Sequence, residues 1–296
     1  MLVKALRTTV WIVALLALVL LAGCGKSKSK STAVSAATDK KVAAEVPAAI
    51  KSKGTLSVAA DASYAPNEFI GPDGHTVTGM DADLANALAG VMGLKANVVN
   101  ASFDSIIPGL AAKKYDLGMS SFTDTKEREK TVDFVTYYEA GSSFFAKAQG
   151  GPKVNTLADL CGHKVAVEKG TTQQADASGQ SKKCKAAGKP AVNVLVFPDQ
   201  NGANLALTSG RADIGMADSP VAEYQAKRTN GQLKLIGKTY GPYPYGIAIP
   251  KKTGMVKPVL DGLKVLMARG QYQAILKKWG IQGGAINNPK VNAPAF

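Results

Sequence analysis

The apolar positions of this chain alternate between two periods. Short, nearly continuous apolar runs predict strands at 55–60, 96–100, 117–119, 164–167, 192–197, 214–217 and 233–236. Stretches with helical spacing lie between them. The stretch 81–92 puts Leu84, Leu88 and Val91 on one stripe, and 105–113 is interrupted early by Pro108. Further helices are predicted at 171–182, 201–209, 219–227, 256–268 and 272–279. Strands alternating with helices over some 240 residues predict an α/β fold with a substantial core.

The first 53 residues follow neither period. Lys4 and Arg7 precede an apolar run, 10–21, that is short for a membrane span and fits a signal segment. The run ends Leu21-Ala22-Gly23-Cys24, which resembles the lipobox of bacterial lipoproteins. On that reading 1–23 is removed and Cys24 carries the lipid. Residues 25–53 are rich in Lys, Ser and Ala and lack aromatics, which predicts a flexible tether with at most a loose helix over 42–50.

Charge fits this arrangement. The formal net charge is +14, of which the leader carries +2 and residues 25–53 carry +5, leaving +7 on the folded part. That is a solvated basic surface rather than a nucleic-acid stripe, and the basic tether suits anionic lipid heads. With Cys24 lipidated, Cys161 and Cys184 remain as an even pair in an oxidising compartment. His75 and His163 are the only histidines and no Cys-x-x-Cys occurs, so no metal or other cofactor is expected; both histidines read as structural or exposed.

The densest chemistry lies at 117–128. The strand ends in Ser120, Ser121 and Thr123, whose hydroxyls and backbone N–H groups fall at the C-terminal strand edge where open α/β sheets bind ligands. Asp124 is positioned to cap the next helix, with Glu127 as its capping-box partner. Arg128 falls in the first turn, where the helix dipole disfavours a cation; a guanidinium fork for a ligand carboxylate accounts for it.

Four further motifs stand in a fixed order around this one: Asp61-Ala62-Ser63-Tyr64-Ala65-Pro66, Gly79-Met80-Asp81-Ala82-Asp83, Phe103-Asp104-Ser105-Ile106-Ile107-Pro108-Gly109, and Val132-Asp133-Phe134 with Tyr137-Tyr138. Together they resemble the polar amino-acid-binding proteins of bacterial ABC importers, solute-binding protein family 3. The resemblance runs from about Gly54 to Gly280. It implies a two-lobe, periplasmic-binding-protein-like type II fold with a two-strand hinge. Lobe 1 would comprise 54–145 and 246–296, and lobe 2 would comprise 146–245. Without the resemblance, two sequential domains fit the same pattern.

The resemblance also implies a ligand set. Arg128 would take the ligand carboxylate, joined by Thr172 and Thr171 at a helix start in the other lobe. Asp218, not Asp213, would take the ammonium. Tyr64 and Phe103 would form the walls, and Ser120, Ser121 and Thr123 would line the Arg128 side. Asp61 would face the far end of the ligand side chain. That end favours a basic or neutral polar amino acid over an acidic one, because two carboxylates in a low-dielectric cleft repel. Members often read Pro-Phe-Glu after the aromatic, whereas this chain reads Pro66-Asn67-Glu68-Phe69. The implied protein is a monomeric, non-enzymatic receptor on the outer face of the cell membrane, delivering its ligand to a permease. Two other functions fit the fold: a dehydratase of small carboxylic acids using Asp61 or Glu168 as acid or base, and an adhesin or sensor without ligand.

Overall fold

The computed structural model describes residues 36–296. Cys24 and the signal segment lie outside them. The described chain opens with two short helices, α1 (Lys40–Glu45) and α2 (Ala48–Lys53). The Asp39 carboxylate caps α1 by accepting from the Lys41 and Val42 N–H groups. Val42 and Val46 are buried in the main core, with Ile50 packed against it. Arg269 ties the segment down through the Asp39 carboxylate and the Ala37 carbonyl. Within the tether expected over 25–53, residues 36–53 are therefore packed onto the fold. The composition of 25–53 is polar on average, but three apolar residues four apart form a helical stripe that a neighbouring helix can cover.

The strands and helices that follow alternate as expected: β1 (Thr55–Ala60), β2 (Ser63–Tyr64), β3 (Glu68–Ile70), β4 (Val77–Thr78), α3 (Met80–Val91), β5 (Lys95–Asn100), α4 (Phe103–Ala111), β6 (Leu117–Gly118), α5 (Lys126–Glu129) and β7 (Val132–Lys147). The chain continues with β8 (Lys164–Glu168), α6 (Thr172–Ala186), β9 (Asn193–Phe197), α7 (Gln200–Thr208), β10 (Ile214–Asp218), α8 (Ser219–Arg228), β11 (Leu233–Pro250), α9 (Val256–Ala268) and α10 (Gln271–Trp279). Strands β2, β3 and β4 form a small antiparallel sheet of their own.

The main sheet has the order β5-β1-β6-β11-β7-β10-β8-β9. Parallel pairs lie at each end, β5-β1-β6 and β10-β8-β9. The long strands β7 and β11 run antiparallel through the middle and belong to both ends. Their ladder slips register between Ile236 and Tyr240, between Tyr240 and Tyr243, and between Tyr245 and Gly246. Such bulges bend and twist a ladder, which is what passage from one lobe to the other requires. The first lobe packs α3, α9 and α10 on one face of its strands, with α4 on the other. The second lobe packs α6 on β8 and β10. The short strand read at 233–236 is the start of β11, which runs on to Pro250; short-range patterns do not show that a strand continues through a polar, Gly-containing stretch.

Cys161 and Cys184 form a disulfide with Cα atoms 5.7 Å apart, joining the turn before β8 to the last turns of α6. Closing a loop of this size stabilises by about 3 kcal/mol. Reduction, or Cys161→Ala with Cys184→Ala, is expected to lower unfolding free energy by about that amount in a denaturant titration. An unchanged midpoint would show that the bridge does not form in solution.

Candidate functional site

The corner after β6 begins the site. Ser121 holds a left-handed backbone (φ 52°). Its N–H donates to Asp81 Oδ2 at 2.9 Å and its hydroxyl to the same oxygen at 3.1 Å. The Ser120 hydroxyl accepts from the Asp61 N–H at 2.8 Å and donates to Glu68 Oε1 at 2.9 Å. The next helix is capped by Thr125, whose Oγ1 accepts from the Arg128 N–H. The Asp124–Glu127 capping box does not form. Instead Asp124 accepts from the Ala293 N–H at 2.8 Å, because the C-terminal segment runs back along β7 to this corner.

Arg128 spans the cleft between the lobes. Its Nη1 donates to the Thr123 carbonyl at 2.7 Å, and its Nη2 donates across the cleft to the Gly170 carbonyl at 3.0 Å. The guanidinium lies over the rings of Phe103 and Phe122, 5.3 and 5.4 Å from their centroids. Burial pulls its pKa down to about 10, with Asp218 opposing, so it stays charged at neutral pH. Further bonds cross the cleft beside it. Lys169 pairs with Asp104 at 2.7 Å, and the Gln200 N–H donates to the Ser63 hydroxyl at 3.0 Å.

The second lobe supplies the opposite charge. Asp218 ends β10 and occupies the N-cap position of α8, yet its side chain makes no capping bond. Its Oδ1 accepts from Gln173 Nε2 at 2.6 Å. Burial raises its pKa to about 6, against Tyr245, Gln173 and Arg128, which lower it. Thr171 caps α6: its hydroxyl accepts from the Gln174 N–H and donates to the Glu168 carbonyl. The first turn of α6 therefore points its N–H groups toward Arg128's side of the cleft, an arrangement suited to an anion.

A cavity of about 10 Å³ lies between these groups, lined by Tyr64, Phe103, Ser121, Thr123, Arg128, Thr171, Thr172, Gln173 and Asp218. It has room for about one water. The cleft is closed, and an amino acid enters only if the lobes part. A larger cavity of about 430 Å³ lies against the hinge strands at Tyr138, Glu139, Glu223 and Pro242. None of the expected residues is there. The small cavity is the candidate site because it alone brings a guanidinium, a carboxylate, a helix start and two aromatic walls together.

Eight of the ten expected residues line this cavity. Ser120 and Asp61 do not. Ser120 lies one layer beneath. Asp61 turns back on its own chain, accepting from the Ser63 hydroxyl at 2.6 Å and N–H at 3.1 Å and from the Phe103 N–H at 2.8 Å. Those donors partly offset the burial that raises its pKa. Tyr64 and Phe103 do double duty as core, Tyr64 against Phe145, Leu207 and Val221, and Phe103 stacked on Phe122 at 4.5 Å. In the stretch where this chain departs from Pro-Phe-Glu, Asn67 and Glu68 are fully buried and bonded to the Ser120–Ser121 corner.

Two residues gain a place that sequence reading did not assign as ligand contacts. Gln173 donates to both Ser142 and Asp218, so it fixes the direction of the Asp218 carboxylate. Its signal was a long amide in the first turn of α6, where an anion site needs only N–H groups. Glu168, at the end of β8, is 0 % exposed; no N–H or hydroxyl group donates to either of its carboxyl oxygens, and its hydrogen-bonding neighbour is the Asp61 carboxyl. Burial raises its pKa to about 10, helped by Asp61, Asp199 and Asp218. An acid ending an apolar strand was the available clue.

A model of the bacterial extracellular solute-binding proteins, family 3, matches residues 56–282. The arginine-binding protein ArgT of Corynebacterium glutamicum is 33% identical over 252 residues, covering 85% of this chain and 82% of the relative. An ancestral arginine-binding protein bound to arginine superposes with a TM-score of 0.70 at 35% identity, covering 76% of this chain and 98% of that one. An ancestral amino acid-binding protein, a precursor of cyclohexadienyl dehydratase, superposes with a TM-score of 0.67, also at 35% identity, covering 78% and 97%.

Proposed function

The chain belongs to the bacterial extracellular solute-binding proteins, family 3, and from that premise we propose that its cleft captures an amino acid with a cationic side chain, arginine foremost, for delivery to an ABC permease. Glu168 is the observation that carries this reading. Two neighbouring carboxyls, Glu168 and Asp61, with no donor to Glu168 other than a proton shared with Asp61, cost free energy in a dry site unless a cationic partner arrives. A guanidinium supplies that partner, with two parallel donors and the opposite charge. Asp61 stands beside Glu168 and adds negative potential at the same end. At the other end, Arg128 and the start of α6 take the α-carboxylate and Asp218 takes the α-ammonium. Tyr64 and Phe103 sandwich the stem.

Closure about β7 and β11, with the lobes dividing near residues 145 and 246, makes the signal that the permease reads. The receptor acts as a monomer and without turnover. Calorimetry with arginine, lysine, histidine, glutamine, glutamate and aspartate tests the reading. Arginine is expected to bind tightest, and tightest binding of glutamate or aspartate overturns it. Glu168, held protonated in the cleft, could also serve as a general acid. Mass analysis of the incubated ligand decides that point, since recovery of unchanged arginine is expected and a dehydrated or deaminated product would favour an enzyme.

The resemblance of Leu21-Ala22-Gly23-Cys24 to a lipobox supports a position on the outer face of the membrane. Among the described residues no helix is long and apolar enough to cross one. A lipid on Cys24 would provide the attachment. The Cys24→Ser protein is expected in the soluble fraction or unprocessed; fractionation identical to the parent would exclude the anchor.

A further inference from the structure

Glu68 on β3 and Asp81 in the first turn of α3 are both buried under the Ser120–Ser121 corner. Gly79 (φ 126°) makes their approach possible: a Cβ there would meet the Asn67 carbonyl oxygen at 2.2 Å. The start of α3 is pinned to the same loop by the Asp81 N–H, which donates to the Asn67 carbonyl at 2.8 Å, and by the Met80 N–H, which donates to the Pro66 carbonyl at 3.2 Å. The two carboxyls then converge on one hydroxyl. Ser121 Oγ lies 3.1 Å from Asp81 Oδ2 and 3.4 Å from Glu68 Oε2, while accepting from Asn67 Nδ2 at 2.9 Å.

Ser121 has a single hydroxyl proton and cannot satisfy both acids. No lysine or arginine among the described residues makes a salt bridge to either. The other titratable groups facing them are the Asp61 carboxyl from the end of β1, the Tyr64 phenol from β2 and the Tyr137 phenol from β7. None is a cation. Two buried carboxylates in such a place cannot both ionise; one proton between them converts repulsion into a hydrogen bond. Asp81 accepts both the N–H and the O–H of Ser121, which favours its anion. Glu68 accepts from Ser120 and at long range from Ser121, so it is the acid that keeps the proton. Burial and the Asp81 charge both push Glu68 well up, in the same direction.

We infer that Glu68 and Asp81 hold one proton between them and that this protonated pair positions the Ser120–Ser121 corner, and through it Thr123 and Arg128, for ligand capture. The pair touches no ligand and acts from beneath the cavity. Ser120 connects the pair to the Asp61 N–H, so the same proton steadies both walls of the cleft. Ionising the second acid would leave two like charges under a corner whose left-handed residue depends on them.

This inference rests on the amino-acid reading of the cleft, and the experiment separates the two. Failure of the parent chain to bind any of the six amino acids at pH 7 would fail that reading. The inference is tested on the ligand-free parent, Glu68→Gln and Glu68→Ala by infrared spectroscopy in the carboxylic-acid carbonyl region and by melting temperature from pH 6 to 10. Arginine binding at pH 7 completes the set. Because Glu68 is held protonated, its contribution to stability is present at low pH and is lost as pH rises toward its raised pKa. The difference between parent and Glu68→Gln isolates it, since Glu168, Asp218 and Asp124 titrate in both.

The expected results are loss of a protonated-carboxyl band at pH 7 in Glu68→Gln, a shallower alkaline fall in its melting temperature, and affinity within about threefold of the parent, because a carboxamide can donate to Asp81 in place of the proton. Glu68→Ala should bind at least tenfold more weakly. An unchanged carboxyl band or an unchanged alkaline slope in Glu68→Gln overturns the shared proton. Parental affinity in Glu68→Ala overturns the positioning role. If Glu68→Ala does not fold, the band and slope of Glu68→Gln still decide.

Discussion

Arg128→Ala is expected to weaken arginine binding at least a hundredfold while leaving the circular dichroism spectrum unchanged. In the closed cleft the guanidinium spends its donors on the Thr123 and Gly170 carbonyls. A ligand carboxylate entering from the open state replaces Gly170 and gains a charged fork already held flat over two rings. Removing the fork leaves that carboxylate buried with only the N–H groups of α6, and a buried charge stripped of its partner costs about 3–5 kcal/mol. Arg128→Lys should lie between the two proteins, since it keeps the charge but loses bidentate geometry and stacking. Affinity within a few-fold of the parent in Arg128→Ala would remove the residue from the site. Asp218→Asn tests the ammonium end in the same way, with Gln173 left in place to show that the amide alone does not suffice.

Glu168→Gln is expected to separate arginine from glutamine. Affinity for arginine should fall by roughly a hundredfold, the cost of leaving a guanidinium facing a neutral group in a desolvated pocket. Glutamine affinity should change by less than about threefold, because no charge is involved. The parent should also show a pH signature. Its ligand-free Glu168 has a pKa raised to about 10 by burial and by the acids around it, so the carboxyl is neutral at pH 7. A guanidinium beside it favours the anion and lowers that pKa, so binding releases a proton and affinity rises with pH, by up to tenfold per unit. In the ligand-free protein the same raised pKa works the other way, and stability declines as pH climbs toward 10. Calorimetry in buffers of different ionisation heat measures the released proton directly. Release approaching one proton between pH 7 and 8 in the parent and none from this group in Glu168→Gln is expected; equal release in both would remove Glu168 from the ligand's far end.

The alternation of strand and helix periods was legible in the chain because each element buries a face whose spacing is local. The helix read over 256–268 and the strand over 55–60 match the structure to the residue. Arg128 was legible for another reason. Arg128 sits where local stability gives it no use, a cation in a first turn; Asp218 was singled out only through the resemblance, and the structure adds that it stands at an N-cap without capping.

What the chain did not show depends on distance. Val42 and Val46 read as part of a polar tether until α9 is placed over them. Asp124 read as a cap until the C-terminal segment, some 170 residues on, brought the Ala293 N–H to it. Asp61 was read as facing the ligand, but its oxygens are taken by Ser63 and Phe103. Glu68 and Asp81 looked like ordinary acids, and Glu168 was read only as an acid or base for a dehydratase, since the cost of burying a carboxylate depends on which donors lie within about 3 Å and not on its neighbours in the chain. The sequence by itself determined the order of elements and the apolar faces, which follow from patterns a few residues long. Only the tertiary structure decided which acids are satisfied and which wait for a partner, because hydrogen-bond partners and desolvation are set by segments that meet only when the chain is folded.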